Sequence, residues 1–595
     1  MVDPDDQETY DNAISRRKML AVAGASGVAA LAGCGGDETT EPAAGTDTDE
    51  GPTVYDAEFH NAYAQNTADM HFNALASQNF GWTMQRLVHA PYLKYSFGEA
   101  EFMMGGLESI DVNLENQEAT LVLRDDLTWS DGKDVTASEV GLQLDLMEKV
   151  GSSIWGYLSG WETDGDKTII LNLDGQVNPK ILKFELGGIF IDTKEEVHGQ
   201  WEDASEQDLL QWEWHGEDDP IASSAMFQFD NKDQQAAEFS RNPEFYKADN
   251  VNFEKYYLDS YGGNAQQHQA LIGGQDIDAA TSLFTPPETV EQFPDHVVEV
   301  NVPAKWGYGI VFNHDHEHFG KRNVRQAVAH VINRQQIVDN AGPRTKFPAE
   351  IPCGIAPRDQ EYWLGDMYDS FNDYGVDAAQ EEEATQLLEE AGYTKQGGTW
   401  QDGDGNTIGG DYYTPAGWTD WTTMTETVVD QLNSFGFDFT ITSRPTNDWF
   451  GQFSESNFGM GAMYWLPGGA RSAFPYFPLY HQLWEPEIGG GHNYRPIAES
   501  EQTIPGPDGG EMTLTPLDTV KNIATQPTDD DARPYVQDAA WHNHIDLPFI
   551  SLVSKYEQSF TTNDDWTEAA QDSPNRRVKW PPFWWVHEGE LQYRG

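Results

Sequence analysis

Residues 123–140 read LRDDLTWSDGKDVTASEV. The stretch is entered from Ala119-Thr120-Leu121-Val122-Leu123, an apolar, β-branched run that predicts a strand. It leaves through residues 138–150, where Val140, Leu142, Leu144, Leu146, Met147 and Val150 fall at helical spacing. Between them lies a polar turn around Asp131-Gly132. A strand handed to a helix through a short polar turn is the unit of a mixed α/β fold.

Working outward, Thr168-Ile169-Ile170-Leu171-Asn172-Leu173 predicts another strand behind an Asp164-Gly165-Asp166 turn. Residues 265–272 predict a helix stopped by Gly273-Gly274. Up to about residue 303 short strands mix with helical pieces. The texture then changes. Residues 306–313 predict a strand, followed by a polar loop and a helix over 324–338. Further helices are expected over 378–391 and 422–435, with a strand over 437–442. Thr399-Trp400 and Thr407-Ile408 flank Asp402-Gly403-Asp404-Gly405-Asn406 as a hairpin, and residues 547–553 read as a buried strand. No internal repeat is present.

The chain has 595 residues, 20 of them Trp, so it exceeds one ordinary domain and has ample material for cores. Asp and Glu number 99 against 35 Lys and Arg, a net charge of −64, which argues against nucleic acid as a partner. The acids are spread along the chain, as in adaptation to high salt, where their repulsion is screened. There are two cysteines, Cys34 and Cys353, and no internal disulfide is expected. Cys353 sits in the turn-like Ile351-Pro352-Cys353-Gly354 and is read as structural.

The N-terminus reads as an address. Arg16 and Arg17 precede a short apolar stretch, residues 21–32, too short to span a bilayer. Leu31-Ala32-Gly33-Cys34 follows and resembles a lipobox. Paired arginines, apolar core and lipobox in this order are similar to a twin-arginine lipoprotein signal of the haloarchaeal type. That resemblance implies export of folded cargo, lipid on Cys34 and a place on the outer face of the cell membrane. Residues 34–51 are acidic and nearly free of apolar side chains, which suits a flexible tether.

Five segments together carry a second resemblance. Residues 123–140 are similar to a strand, "W-S-D-G" and "T-A-x-D-V". Residues 238–246, EFSRNPEFY, are similar to "l-x-r-N-p-x-Y". Gly273-Gly274-Gln275-Asp276-Ile277-Asp278 is similar to "G-e-i-D". The block 310–338, IVFNHDHEHFGKRNVRQAVAHVINRQQIV, resembles "hN…vRqAla.aidr". Residues 384–393, ATQLLEEAGY, match "A-x-x-L-L-x-e-A-G-y". In this order they resemble the large solute-binding proteins of ABC importers, family 5, the peptide and nickel class. The resemblance implies a two-lobed α/β fold of the periplasmic-binding-protein type II, with an extra subdomain, a hinge and an interlobe ligand cleft. Lobe I is expected over 52–303, lobe II over 304–545, and a return to lobe I over 546–595. It also implies a monomer that binds solute, docks on membrane permease subunits, needs no cofactor and performs no bond chemistry.

In the family's peptide binders a Trp followed by an Asp sits in lobe two, and the Asp neutralises the ligand's α-amino group. The matching segment here is residues 459–471, GMGAMYWLPGGAR. Trp465 matches, Gly468 stands near the Asp position, and the next acidic residue is Glu485. Arg471 instead offers a cation for a carboxylate. Tyr464, Trp465 and Trp449 suit stacking on a sugar, with core packing the rival role. Tyr308 and Asn313 flank the crossover, as cleft residues or as hinge structure. Peptide and oligosaccharide stay open as ligands. His314, His316 and His318 alternate as metal ligands do on a strand, but a solvated loop is expected and no metal site is assigned. Asp402-Gly403-Asp404-Gly405-Asn406 lacks the twelfth-position Glu of a calcium loop. No G-x-S-x-G elbow or phosphate loop occurs. Two alternatives remain: a secreted hydrolase using a carboxylate pair across a cleft, and a sensing receptor of the same fold without transport.

Overall fold

The computed structural model describes residues 52–595 except 64, 77–78, 218, 275–276 and 485–487. Arg16, Arg17, Cys34, the acidic tether and Gln275-Asp276 of the third motif lie outside the described residues.

The quoted stretch folds as read, and its side chains show why. The strands β1 (Tyr55–Tyr63), β2 (Leu107–Asn113) and β3 (Glu118–Leu123) are followed by the turn and by α1 (Ala137–Lys149). Thr136 and Glu139 form a reciprocal capping box at the helix start. Trp129 is fully buried, and its Nε1 donates to the same Glu139 carboxylate at 3.1 Å. Glu139 also accepts the backbone N–H of Glu195, and Asp131 accepts from Lys194 Nζ at 2.7 Å. Gly132 turns the chain at φ +79°, a conformation that favours glycine. One motif thus ties a strand, a helix and the 192–195 segment together.

Next come β4 (Leu158–Thr163), β5 (Thr168–Leu173) and α2 (Pro179–Leu186). Strands β2, β3, β5 and β4 form a four-stranded antiparallel sheet in that order. Then β6 (Phe227–Lys232), β7 (Ala236–Arg241), β8 (Phe253–Ser260), α3 (Asn264–Ile272) and β9 (Ala279–Ala280) complete the first half.

A long strand, β10 (Val297–Phe312), carries the chain into the second half. There α4 (Arg322–Val331), α5 (Arg334–Ala341), α6 (Glu381–Glu390), β11 (Gly409–Pro415), α7 (Thr419–Phe435), β12 (Asp438–Arg444) and β13 (Met460–Met463) follow. The single helix expected over 324–338 is two. Asn333 breaks it in extended conformation and caps the second piece, its Oδ1 accepting Gln336 N–H at 2.9 Å. Helices α8 (Tyr476–Leu483), α9 (Pro516–Ala524) and α10 (Asp529–Asp546) lead to β14 (Phe549–Thr562), which runs back, and α11 (Pro581–Glu588) lies near the end.

One mixed sheet runs through both halves in the order β6-β7-β8-β1-β9-β14-β10-β13-β11-β12. Its middle is the antiparallel pair β10 and β14. Val302 pairs with Glu557 and Trp306 with Lys555, so residues 303–305 face Tyr556 alone. Pro303 has no N–H to give, and Lys305 is at φ +54°. A bulge of this kind bends a strand and raises its twist. The bend lies at the crossover.

Three cores result. One lies under the first half around Phe59, Phe239, Tyr256 and Trp585. Another fills the second half around Ile310, Val328, Leu432, Trp465 and Ile550. The third joins the four-stranded sheet to second-half helices, with Leu121, Ile169 and Phe184 meeting Phe474, Ile523 and Val536.

Candidate functional site

The third core is where the halves meet. Helix α2 starts at Pro179, and Asn178 caps it by accepting Lys180 N–H at 2.9 Å. Its buried face presents Phe184 to the rings of Phe474 and Phe477, with centroids at 6.2 and 5.8 Å. One residue on, buried Glu185 accepts from Arg471 Nη2 and from Ser153 Oγ, both at 2.7 Å. Tyr157 and Tyr476 share a hydroxyl contact at 2.8 Å, and Lys180 pairs with Asp529 at 2.7 Å.

The turn carrying Arg471 is glycine-dependent. Gly468 and Gly469 sit at φ +72° and +63°, and a Cβ on Gly468 would come within 3.0 Å of the Trp306 ring. Trp306 stands at the end of the bulge in β10. The turn therefore rests on the bend.

Behind Arg471 lies a cavity of about 290 Å³. Its apolar wall includes Phe80, Trp82, Leu146 and Met147, and Arg471 reaches it from the second half. Its polar wall centres on Asp192, which accepts from Gln85, Gln143 and Thr193 at 3.0, 2.7 and 3.0 Å. Burial pushes the Asp192 carboxyl up to about 7, against those donors. A concave, mostly apolar space with a few convergent polar groups is the ordinary form of a small-molecule site.

The six residues singled out from sequence fall in different places. Arg471 lines the cavity. Trp465 is fully buried on the crossing strands, its Nε1 donating to Val553 O at 2.9 Å and its ring lying where a Cβ on Gly307 would be. Tyr464 is buried between Trp306, Phe450 and His481. Tyr308 is buried, with its hydroxyl 3.0 Å from Thr425 Oγ1. Asn313 donates to the carbonyls of Ser456 and Phe458. Trp449 packs against Trp418, Trp421 and Phe453. These five pack in the second-half core, and Tyr464 and Trp465 adjoin the bend.

The histidine run is not a solvated loop throughout. His314 and His318 are buried, contacting Pro548 O at 3.1 Å and the Tyr393 hydroxyl at 2.9 Å. Among the described residues no group of three or more His, Cys, Asp or Glu is placed to hold a metal ion. Asp402 closes its own turn, accepting from Asp404 and Asn406 N–H. Cys353 is buried, and burial pushes its thiol up to about 12, which leaves it protonated and unreactive.

Sequence reasoning missed Trp306, Glu185 and Asp192. Only the aromatic character of Trp306, at the start of the crossover strand, left a trace. The other two are carboxylates among 99.

Comparison with known proteins follows from this geometry. The profile of the bacterial extracellular solute-binding proteins, family 5, matches residues 102–485. A periplasmic oligopeptide-binding protein of Thermotoga maritima, solved with mannohexaose, superposes with a TM-score of 0.75 at 18% identity, covering 91% of this chain and 99% of that one. The oligopeptide-binding protein of Bacillus subtilis in complex with a nonapeptide gives 0.72 at 16%, covering 92% and 100%. A Campylobacter jejuni protein in complex with Ni(L-His) gives 0.70 at 16%, covering 90% and 100%. At these identities the likeness is one of fold. No curated protein matches the chain. The profile match spans well over half of the sequence, and the chain belongs to the extracellular solute-binding proteins of family 5.

Proposed function

We propose that this protein is the receptor of an ABC importer, anchored outside the cell by lipid on Cys34 after twin-arginine export. It captures a solute between its halves and presents it to a membrane permease. The lobes are those read from sequence, 52–303 and 304–545 with 546–595 returning, and the hinge is the bulge at 303–305 opposite Tyr556. The observation that carries the reading is the cavity of about 290 Å³ lined by first-half residues and by Arg471 of the second half. Hinge closure that completes a site from two halves is the mechanism of bilobed receptors.

The same geometry argues about the ligand. Arg471 is already held by Glu185, so the second half presents a neutralised pair. Asp192, pushed up to about 7 by burial, is protonated part of the time at pH 7 and then donates as well as accepts a hydrogen bond. A solute with neutral hydrogen-bonding groups and an apolar face, such as a peptide backbone or a sugar ring, fits this wall. The similar proteins named above were solved with ligands of both kinds.

Thermal-shift titration in molar KCl against short peptides and manno-oligosaccharides tests the reading. Saturable stabilisation by one class is expected. No stabilisation by any of them would contradict it.

A further inference from the structure

Strand β14 belongs to both halves. Its residues 557–562 pair with residues 297–302 of β10, and its residues 549–555 pair with residues 306–311 and with the short strand Lys346–Pro348. Lys555 is thus the last residue on the second-half side of the bend, one position from Tyr556. Its side chain is 4% exposed, and Nζ donates to Asp420 Oδ2 at 2.8 Å, in the first turn of α7. Lys346 Nζ lies 3.9 Å from the same oxygen. Burial lowers the Lys555 ammonium below its ordinary value, and Asp420 and Glu557 oppose that. The ammonium also lies 3.5 Å from the centroid of the Phe284 ring, a cation–π contact.

Phe284 is fixed to the first half. On one side of it Ser282 N–H donates to Ser559 Oγ at 3.1 Å, and on the other Thr285 N–H donates to Gln558 Oε1 at 2.7 Å. Thr285 Oγ1 also lies 3.0 Å from His268 of α3. The ring is therefore held by the first-half stretch of β14, and the ammonium by a second-half helix. Their contact spans Tyr556, so a change in the bend moves one against the other. The bend has room to change. A cavity of about 270 Å³ lies along it, lined by Pro303, Lys305, Phe347, Lys555 and Tyr556. Close-packed interiors resist deformation, whereas side chains beside a void have space to shift.

We propose that Lys555 and Phe284 form a strut across the hinge, a positioning pair that sets the balance between bend angles without touching the solute. The inference rests on the receptor reading above. Asp420 keeps the cation in place on the second half, and the ring face is the contact that bending breaks. A solute that favours one angle binds with an apparent affinity scaled by the population of that angle. The strut thus tunes affinity for every solute alike and leaves selectivity unchanged.

Pulsed electron paramagnetic resonance on the full chain in molar KCl, without solute, tests this. Nitroxide labels go on Glu254→Cys of the first half and Glu382→Cys of the second, both exposed positions. Cys34→Ser removes one native thiol, and the other, Cys353, is buried. Two spacings are expected, one of them that of the bend described here. Phe284→Leu keeps apolar bulk and removes the ring face, and should lower the share of that spacing relative to the other by about three- to tenfold. Lys555→Met should shift the ratio the same way, and Phe284→Tyr should restore it. A loss of packing alone would not move this ratio. Two spacings in a ratio that Phe284→Leu leaves unchanged would overturn the strut and leave the hinge standing. One spacing, the same in the parent and in Phe284→Leu, would contradict both.

Discussion

Arg471 of the second half donates to Glu185 of the first at 2.7 Å, and Arg471 also lines the larger cavity. Glu185 is buried, while Arg471 keeps 41% of its side chain exposed. The pair is therefore a partly screened latch. Arg471→Ala should weaken solute binding about two- to fivefold, the range of an exposed ion pair. Thermal stability without ligand should fall, because the buried Glu185 carboxylate loses its cation. Titration calorimetry of the variant checks this, and an unchanged affinity would remove the latch role.

Trp465 and Gly307 form a tight pair on the crossing strands. A Cβ at Gly307 would lie 2.2 Å from Trp465 Nε1. Gly307→Ala should therefore destabilise the fold, and Trp465→Ala should cost about 3–5 kcal/mol, as for a buried tryptophan. Trp465→Phe should retain ligand affinity, because the ring packs against Gly307 and Gly309 and not on the cavity. Denaturant unfolding and calorimetry separate the two effects. A Trp465→Phe variant that folds normally but loses binding would return Trp465 to the ligand's wall.

Acid should unfold this protein early. Burial holds His89, His492 and His544 down to about 3, and His198, His481 and His587 down to about 4. In the unfolded chain each takes a proton near 6.5. Between about pH 6.5 and 4 the unfolded state thus binds more protons, so stability falls as pH falls. Asp192, raised to about 7, works the other way for one proton. Each such ring contributes a slope of about 1.4 kcal/mol per pH unit within that window. The pH dependence of the denaturant midpoint measures it, and a flat profile from pH 6.5 to 5 would contradict the burial of these rings.

The anchor has its own test. Cys34→Ser should release the protein into the medium with its ligand binding intact. Continued retention on membranes, followed by fractionation and immunoblotting, would refute lipid attachment.

The fold was legible where local rules act alone. Residues 123–140 show strand, turn and helix by pattern, and the capping box of Thr136 and Glu139 makes that reading hold in three dimensions. The break at Asn333 was hidden because apolar spacing continues through it, whereas the cap that splits the helix is a single polar side chain. The site was less legible. Aromatic residues near the expected ligand segment drew attention, yet Trp449, Trp465 and Tyr308 are buried in the core, since the largest apolar side chains bring the largest hydrophobic gain. Arg471, which lines the cavity, drew attention because it is a cation where the family's peptide binders have an acid nearby.

Small-angle scattering of the purified chain in molar KCl, with and without the solute found by calorimetry, tests the central claim most directly. Capture between two halves that bend at residues 303–305 predicts a radius of gyration that contracts as solute saturates the chain. A radius that does not change when solute binds would contradict it.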